Sequence, residues 1–240
     1  MKIAIVADVH ANIEAFEAVL ADASASGGFD AIWSLGDIVG YGPDPGGCIR
    51  LLQSHPHLAI AGNHDYAATG AIGTEDFNPI AAEAVRWTST QLTMDDQLWL
   101  SGLSAVRIEG DFTLAHGSLL DPVWDYLVSA DGAHAHLTHQ TTAYGFVGHT
   151  HFQGIFFETA SGSEPGDAID TALEGQRFVA NPGSTGQPRD GNPRAAYCLV
   201  DTEARRLRFR RVAYDIPLTQ AKIRAVGLPE VLAERLAHGR

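Results

Sequence analysis

Residues 1–37 read MKIAIVADVHANIEAFEAVLADASASGGFDAIWSLGD, and the order of elements in this stretch decides the fold class. Lys2–Ala7 is a short β-branched apolar run, the pattern of a buried strand. Ala11–Ala25 follows with Ile13, Phe16, Ala18, Val19 and Leu20 at near-helical spacing, and Gly27-Gly28 ends it. Ala31–Leu35 is a second apolar strand. Further out, Asp44–His55 has the pattern of a helix and Leu58–Ala61 that of a third strand. Strand, helix and strand in alternation predict an α/β layered fold.

Pro79–Thr90 and Asp95–Leu100 read as helices. The chain then becomes strand-rich. Val106–Glu109 and Phe112–His116 flank Gly110-Asp111, a hairpin turn signal. Ala143–Val147, Gly154–Glu158, Arg177–Ala180, Ala195–Val200 and Arg206–Val212 are further strands. Ser161–Gly175 is rich in Gly, Ser, Asp and Glu and reads as a solvated excursion, and Pro229–His238 as a short closing helix. A domain boundary near Gly102 is conceivable. The polar motifs described next lie on both sides of it, so residues 1–240 read as a single domain, closed by the strands and helix of about 195–240. Two sheets packed face to face with helices outside fit this order.

Polar residues punctuate the ends of the apolar runs: Asp8-Val9-His10, Gly36-Asp37, Gly62-Asn63-His64-Asp65, His116-Gly117 and Gly148-His149-Thr150-His151. In a strand, residues i and i+2 point the same way, so Asp8 with His10, and His149 with His151, can present two ligand atoms toward one point. Carboxylate with imidazole suits Mn, Fe, Ni, Co or Zn, and the lack of thiolate partners argues against a purely structural zinc site. Taken singly, each fragment has an ordinary structural reading: Asp-x-His as a helix N-cap region, Gly-Asp as a turn, Asn63 as a left-handed turn residue. Five such fragments, each after an apolar run, are hard to obtain from turn chemistry alone.

The charge balance narrows the partners. There are 29 acidic against 16 basic residues, a formal net charge of −13, and the basic residues are 14 Arg with only Lys2 and Lys222. A nucleic-acid polymer, which needs a basic footprint, is disfavoured, whereas a small phosphate substrate is not. Bound divalent ions would reverse the local charge. The two cysteines, Cys48 and Cys198, offer no disulfide framework, the first residues lack a signal-peptide pattern, and no stretch has the length of a membrane span. A cytoplasmic location is the default expectation.

In order and spacing the five motifs resemble the calcineurin-like metallophosphoesterase family, from the first strand to about Ser184. The resemblance implies a four-layer α/β/β/α sandwich with two mixed sheets and the active site at the sheet rim. It implies two divalent metal ions, one held by Asp8, His10 and His151, the other by Asn63, His116 and His149, with Asp37 bridging both. It implies hydrolysis of phosphomonoesters or phosphodiesters by a hydroxide shared between the metals. His64 is the candidate general acid, with Asp65 next door to orient it or raise its pKa.

Substrate contacts are expected from Asn12, which can equally cap the following helix, from Tyr41, and from Arg189, whose competing reading is a surface arginine paired to Asp190. Tyr66, Phe152 and Trp124 are further aromatic candidates for covering a substrate. The turn Asn181-Pro182-Gly183-Ser184 is placed near the site by the resemblance. His134, His136 and His139 have a spacing that suits neither a helix nor a strand face and read as solvent-exposed, and Arg205–Arg211 reads as a solvated strand face near acidic residues.

The sequence departs from the protein phosphatases of this superfamily, which carry an Asp and an Arg soon after the Gly-Asp motif. Here those positions are Gly40 and Tyr41, and the asparagine motif ends in Asp65 rather than Glu. The chain is more similar to the compact bacterial phosphoesterase branch, which acts on small esters. The competing classes are a noncatalytic interaction module on the same fold and a metal-dependent nuclease. The first is opposed by the presence of all seven ligand positions and His64, the second by the acidic charge.

Overall fold

The computed structural model describes residues 1–240. Two six-stranded mixed sheets face each other. The first is built from β1 (Lys2–Val6), β2 (Ala31–Ser34), β3 (His57–Ala59), β9 (Asp170–Ala172), β11 (Ala195–Asp201) and β12 (Arg206–Val212), in the order β3-β2-β1-β11-β12-β9. The second is built from β4 (Val106–Glu109), β5 (Phe112–Ala115), β6 (Tyr144–Phe146), β7 (Gln153–Thr159), β8 (Gly162–Gly166) and β10 (Phe178–Pro182), in the order β4-β5-β6-β10-β7-β8.

The period of two along each strand sorts side chains between layers. In β1, Ile3 and Ile5 enter the core between the sheets, while Ala4 and Val6 face the helices α1 (Ile13–Ala25) and α2 (Pro45–Gln53). In β10, Phe178 and Ala180 point inward and Val179 outward, against Ala133 and Leu137 of α6 (Ala130–His139). The result is the expected α/β/β/α layering. Phe16 of α1 is wholly buried in the outer core, and truncating such a ring typically costs about 3–5 kcal/mol.

Further helices are α3 (Asn63–Ala68), α4 (Pro79–Gln91), α5 (Met94–Ser101), α7 (Ile216–Ala225) and α8 (Glu230–Glu234), the last continuing as a 3₁₀ turn over Arg235–His238. No helix is long and apolar enough to cross a membrane.

Two sequence expectations are corrected. Ser161–Gly175 is not a bare excursion: β8 pairs with β7 as a hairpin closing at Thr159 and Gly162, and β9 pairs with β12 to form the edge of the first sheet. These strands are polar because their side chains are largely exposed, so main-chain pairing forms them without an apolar pattern. His134, His136 and His139 lie on helix α6, and His136 is fully buried. Its Nδ1 accepts from the Leu119 N–H (3.2 Å) and its Nε2 meets Gln140 Oε1 (3.2 Å), so it pins α6 to the loop after β5. The arginine-rich strand β12 does lie near acids: Arg206 and Arg208 meet Asp170, Arg210 meets Asp22, and Arg211 meets Asp190.

β1, β2 and β3 run parallel in one sheet, as do β5, β6 and β10 in the other. Their carboxyl ends therefore share a rim, the usual location of sites in parallel sheets. Every polar motif of the sequence follows one of these strands.

Candidate metal centre

The rim loops are fastened to one another by their main chains. Asp8 N–H donates to Gly36 O, His10 N–H to Asp37 O, Gly148 N–H to His116 O, and Gly186 N–H to Asp8 O. This packing is so close that a Cβ on Gly62 would stand 2.2 Å from Asp37 Oδ1, and one on Gly36 2.5 Å from the Gly62 nitrogen. Left-handed backbone is concentrated here: Asp8, His10, Ala11, Asp37, Tyr41, His149 and His151 have φ between 48° and 65°, and Arg205 is the sole non-glycine case elsewhere. Such conformations cost on the order of 1–3 kcal/mol each and persist where the surroundings over-determine them.

The side chains converge. Asp8, His10, Asp37, Asn63, His116, His149 and His151 are all buried. Asp37 Oδ2 lies 3.6 Å from His10 Nε2 and 3.5 Å from His116 Nε2. Asp8 Oδ1 lies 3.5 Å from His151 Nε2, and Asn63 Oδ1 lies 3.2 Å from His116 Nε2. Asp8, His10 and His151 form one potential cation-binding group, and Asp37, His116 and His149 another.

Three of the rings are oriented in the same way. Nδ1 of His10, His116 and His151 meets the carbonyl oxygens of Val39 (3.1 Å), Leu35 (2.7 Å) and Gln187 (2.6 Å). A carbonyl only accepts, so each Nδ1 carries the proton and each Nε2 turns to the centre, the usual outer support of metal-binding histidines.

The residues fit a metal on two observations. His10 Nε2 and His151 Nε2 stand 3.1 Å apart, and with both protons on Nδ1 these are two lone pairs facing each other. His149 Nε2 is buried with no hydrogen-bond partner. Cations resolve both problems, and imidazole with carboxylate is a suitable donor set for Mn, Fe, Ni, Co or Zn.

Protonation follows the geometry. Burial drives His10 and His151 well below the usual histidine range, and His149 down to about 3 with help from the His116 charge, so all three are neutral and ready to ligate. Burial opposes charge on Asp37 and His116 as well, but their mutual attraction wins: Asp37 falls well below the carboxylate range and His116 rises to about 9. Burial lifts Asp8 to about 7.

Beside this cluster lies a small cavity of about 70 Å³ whose walls include Asp37, His64, Tyr41, Tyr126, Trp124 and Arg189. The His64 ring packs against Tyr41 (centroids 4.3 Å apart), His10 (4.8 Å) and Phe77 (5.0 Å). Its Nδ1 is buried without a partner, and the His64 main-chain N–H donates to Asp37 Oδ1 (2.9 Å). Gly40, at φ 89°, makes room for this ring, since a Cβ there would stand 2.3 Å from His64 Nδ1.

Several expected roles are corrected. Asp65 does not touch His64. Its Oδ1 accepts from Val39 N–H (3.1 Å) and its Oδ2 from Gly62 N–H (3.0 Å), so it ties the loop of Asp37 to that of Asn63. Asn12 is not a free phosphate donor. Its Oδ1 caps α1 through Ala15 N–H, its Nδ2 donates to Gly186 O, and it is not among the residues lining the cavity. Arg189 is not paired to Asp190, which binds Arg211. Its guanidinium carbon lies 5.6 Å from the Tyr41 ring centroid, on the cavity wall. Tyr66 turns away to donate to Leu103 O, and Phe152 lines a different cavity.

Sequence reasoning missed Phe77 and Tyr126. The Tyr126 ring lies 4.1 Å from that of His149 although the residue is 53% exposed. Both sit in irregular loops with no periodic signal. An aromatic cluster within an otherwise polar loop, as in Trp124-Asp125-Tyr126, was the available hint.

The sequence model of the calcineurin-like phosphoesterase superfamily domain matches residues 1–205. An uncharacterised protein of Methanocaldococcus jannaschii is 35% identical over 251 aligned residues, which cover 99% of this chain and 98% of that one. The crystal structure of a metallophosphoesterase from Sphaerobacter thermophilus superposes with a TM-score of 0.90 at 42% identity, covering 100% of this chain and 99% of the other. A hypothetical protein of Pyrococcus horikoshii shares the fold at 20% identity with a TM-score of 0.81, covering 100% and 98%.

Proposed function

Because the chain belongs to the calcineurin-like phosphoesterase superfamily, we propose that it hydrolyses small phosphomonoesters or phosphodiesters with two divalent metal ions. Asp8, His10 and His151 would hold one ion, Asn63, His116 and His149 the other, and Asp37 both. When bound, the two ions would supply Lewis acidity toward the phosphoryl oxygens and would lower the pKa of a water toward neutrality. The observation that carries this reading is the pair of opposed Nε2 atoms on His10 and His151, beside a carboxylate reached by imidazoles from both sheets.

The chain's own residues supply the rest. Arg189 lines the same cavity as His64 and is the candidate phosphate clamp, in place of the arginine that Tyr41 replaces. It comes from the segment after β10 rather than from the loop of Asp37. Burial lowers the free His64 ring to about 4, so it is neutral until an anionic ester enters; a neighbouring negative charge then favours its protonated form. From there it protonates the leaving oxygen. Tyr41, Trp124 and Tyr126 line the cavity and limit access of bulk water. The whole of residues 1–240 acts as one domain, since β11 and β12 complete the first sheet. A cytoplasmic setting is consistent with two buried, unpaired cysteines.

The test is to load metal-free protein separately with Mn, Fe, Ni, Co and Zn and assay aryl phosphate mono- and diesters. Hydrolysis with at least one metal is expected. Bound metal by elemental analysis without any turnover would sink the enzymatic reading and favour the noncatalytic one.

A further inference from the structure

The ring of His151 is aimed by the Gln187 carbonyl, so whatever fixes Gln187 also fixes a candidate metal ligand. The peptide joining Gly186 to Gln187 is held through both of its polar groups. Its N–H donates to Ser184 Oγ (2.7 Å), and its carbonyl, on Gly186, accepts from Asn12 Nδ2 (2.8 Å). Asn12 is the only donor to that carbonyl. Gly186 is also pressed onto the loop of Asp8 and His10: a Cβ there would stand 1.8 Å from Val9 O.

The Asn12 amide can point only one way. Its Oδ1 accepts from Ala15 N–H (3.2 Å), and a flipped amide would set an oxygen against Gly186 O and an N–H against that of Ala15. From behind, the hydroxyl of Thr219 on α7 reaches Asn12 Oδ1 (3.1 Å) and Glu14 Oε2 (2.9 Å). Lys222 of the same helix bridges Glu14 and Asp44. Asn12, Glu14, Ser184, Gln187 and Thr219 are buried, where bulk water does not compete for these bonds. α7 lies beyond residues 1–205, the span of the superfamily match.

We propose that Asn12, set in place by Thr219, is a positioning residue for the metal ion assigned to Asp8, His10 and His151. It acts by fixing the peptide between Gly186 and Gln187, and the Gln187 carbonyl then aims His151. A helix outside the superfamily match thereby takes part in metal binding. The inference rests on the metal assignment of the proposed function.

The test titrates metal-free protein with Co(II) and follows both binding steps by calorimetry and visible absorption. Asn12→Ser keeps a good helix cap but is too short to reach Gly186 O. One of the two affinities should fall by about tenfold, the low end of the cost of losing a partner behind a metal-binding histidine, while the other holds. In a His151→Ala background, Asn12→Ser should have no further effect. Thr219→Val should weaken the same step less, and Thr219→Ser should bind as wild type does; this pair decides if Asn12→Ser does not fold. Unchanged affinities overturn the proposal. So does an equal fall in both, the mark of a merely structural role, or a loss that persists without the His151 ring.

Activity separates the two readings. If the protein binds Co(II) but no metal-loaded form hydrolyses an ester, the phosphoesterase reading has failed and the affinities still decide on Asn12. If only one ion binds, its affinity is judged by the same variants. If none binds, both readings are overturned.

Discussion

His10 Nε2 and His151 Nε2 lie 3.1 Å apart across the rim, one from each sheet, with both Nδ1 protons committed to main-chain carbonyls. Two facing lone pairs in a buried site are stable only around a cation. Chelation should therefore lower the melting temperature, and readdition of metal at a hundredfold excess over its Kd should restore about 2.7 kcal/mol or more. Loading should also release protons, because His116 at about 9 is protonated at pH 7 and must give up its Nε2 proton to ligate. Calorimetry in buffers of different ionisation enthalpy should find roughly one proton released per chain from His116 and a further fraction from Asp8, with affinity rising with pH. An uptake of protons, or no stabilisation by any metal, contradicts the assignment.

Asp37 Oδ2 faces imidazoles from both groups, so Asp37→Asn should reduce the metal content at both positions and lower kcat by roughly 10³-fold or more. The change keeps shape and volume, so far-UV circular dichroism should be unaltered. A variant with two metals and full rate refutes the shared role.

His64→Ala should cost about 10²–10⁴-fold on an alkyl phosphate, whose leaving oxygen needs a proton, and much less on p-nitrophenyl phosphate. Equal losses on both substrates would reduce His64 to a phosphate contact.

Gly40→Ala tests the same point without removing the imidazole. The new methyl would stand 2.3 Å from His64 Nδ1 and the residue would be held at φ 89°, so the ring must move. Metal content should stay near wild type, while the leaving-group dependence should approach that of His64→Ala. A Gly40→Ala protein with wild-type rates on alkyl phosphates would show that the ring position does not matter.

His136 accepts Leu119 N–H at Nδ1, which only the neutral ring can do, and burial lowers it to about 4. The unfolded ring titrates near 6.5, so between these values the unfolded state binds more protons and stability falls as pH falls. Chelated protein should lose roughly 2–3 kcal/mol from this group between pH 7 and pH 4.5. Urea titrations of wild type and His136→Gln at both pH values should show a shallower pH dependence in the variant. Parallel curves would mean that the ring is not the source.

The strand and helix order of residues 1–61 was legible because apolar periodicity directly reports which face meets the core. The metal-type motifs were legible because each directly follows such a strand. β8 and β9 were not, since exposed polar strands are held by main-chain pairing and leave no side-chain pattern. His136 was misread for a related reason: α6 has a weak apolar pattern, and the histidine's burial depends on Leu119 and Gln140.

By itself, then, the chain's local pattern determined the layered fold and put the polar motifs at the ends of its strands, since the apolar periodicity of each strand stops where its motif begins, while the choice of seven ligand positions came from the family resemblance. Tertiary structure decided which of their neighbours face that rim. Asp65 and Asn12 turn to main-chain partners, Arg189 turns to the cavity because Arg211 already holds Asp190, and Phe77 and Tyr126 arrive on irregular loops. Those choices depend on partners distant in sequence competing for the same hydrogen bonds and charges, and nothing in the spacing of residues along one strand or helix encodes that competition.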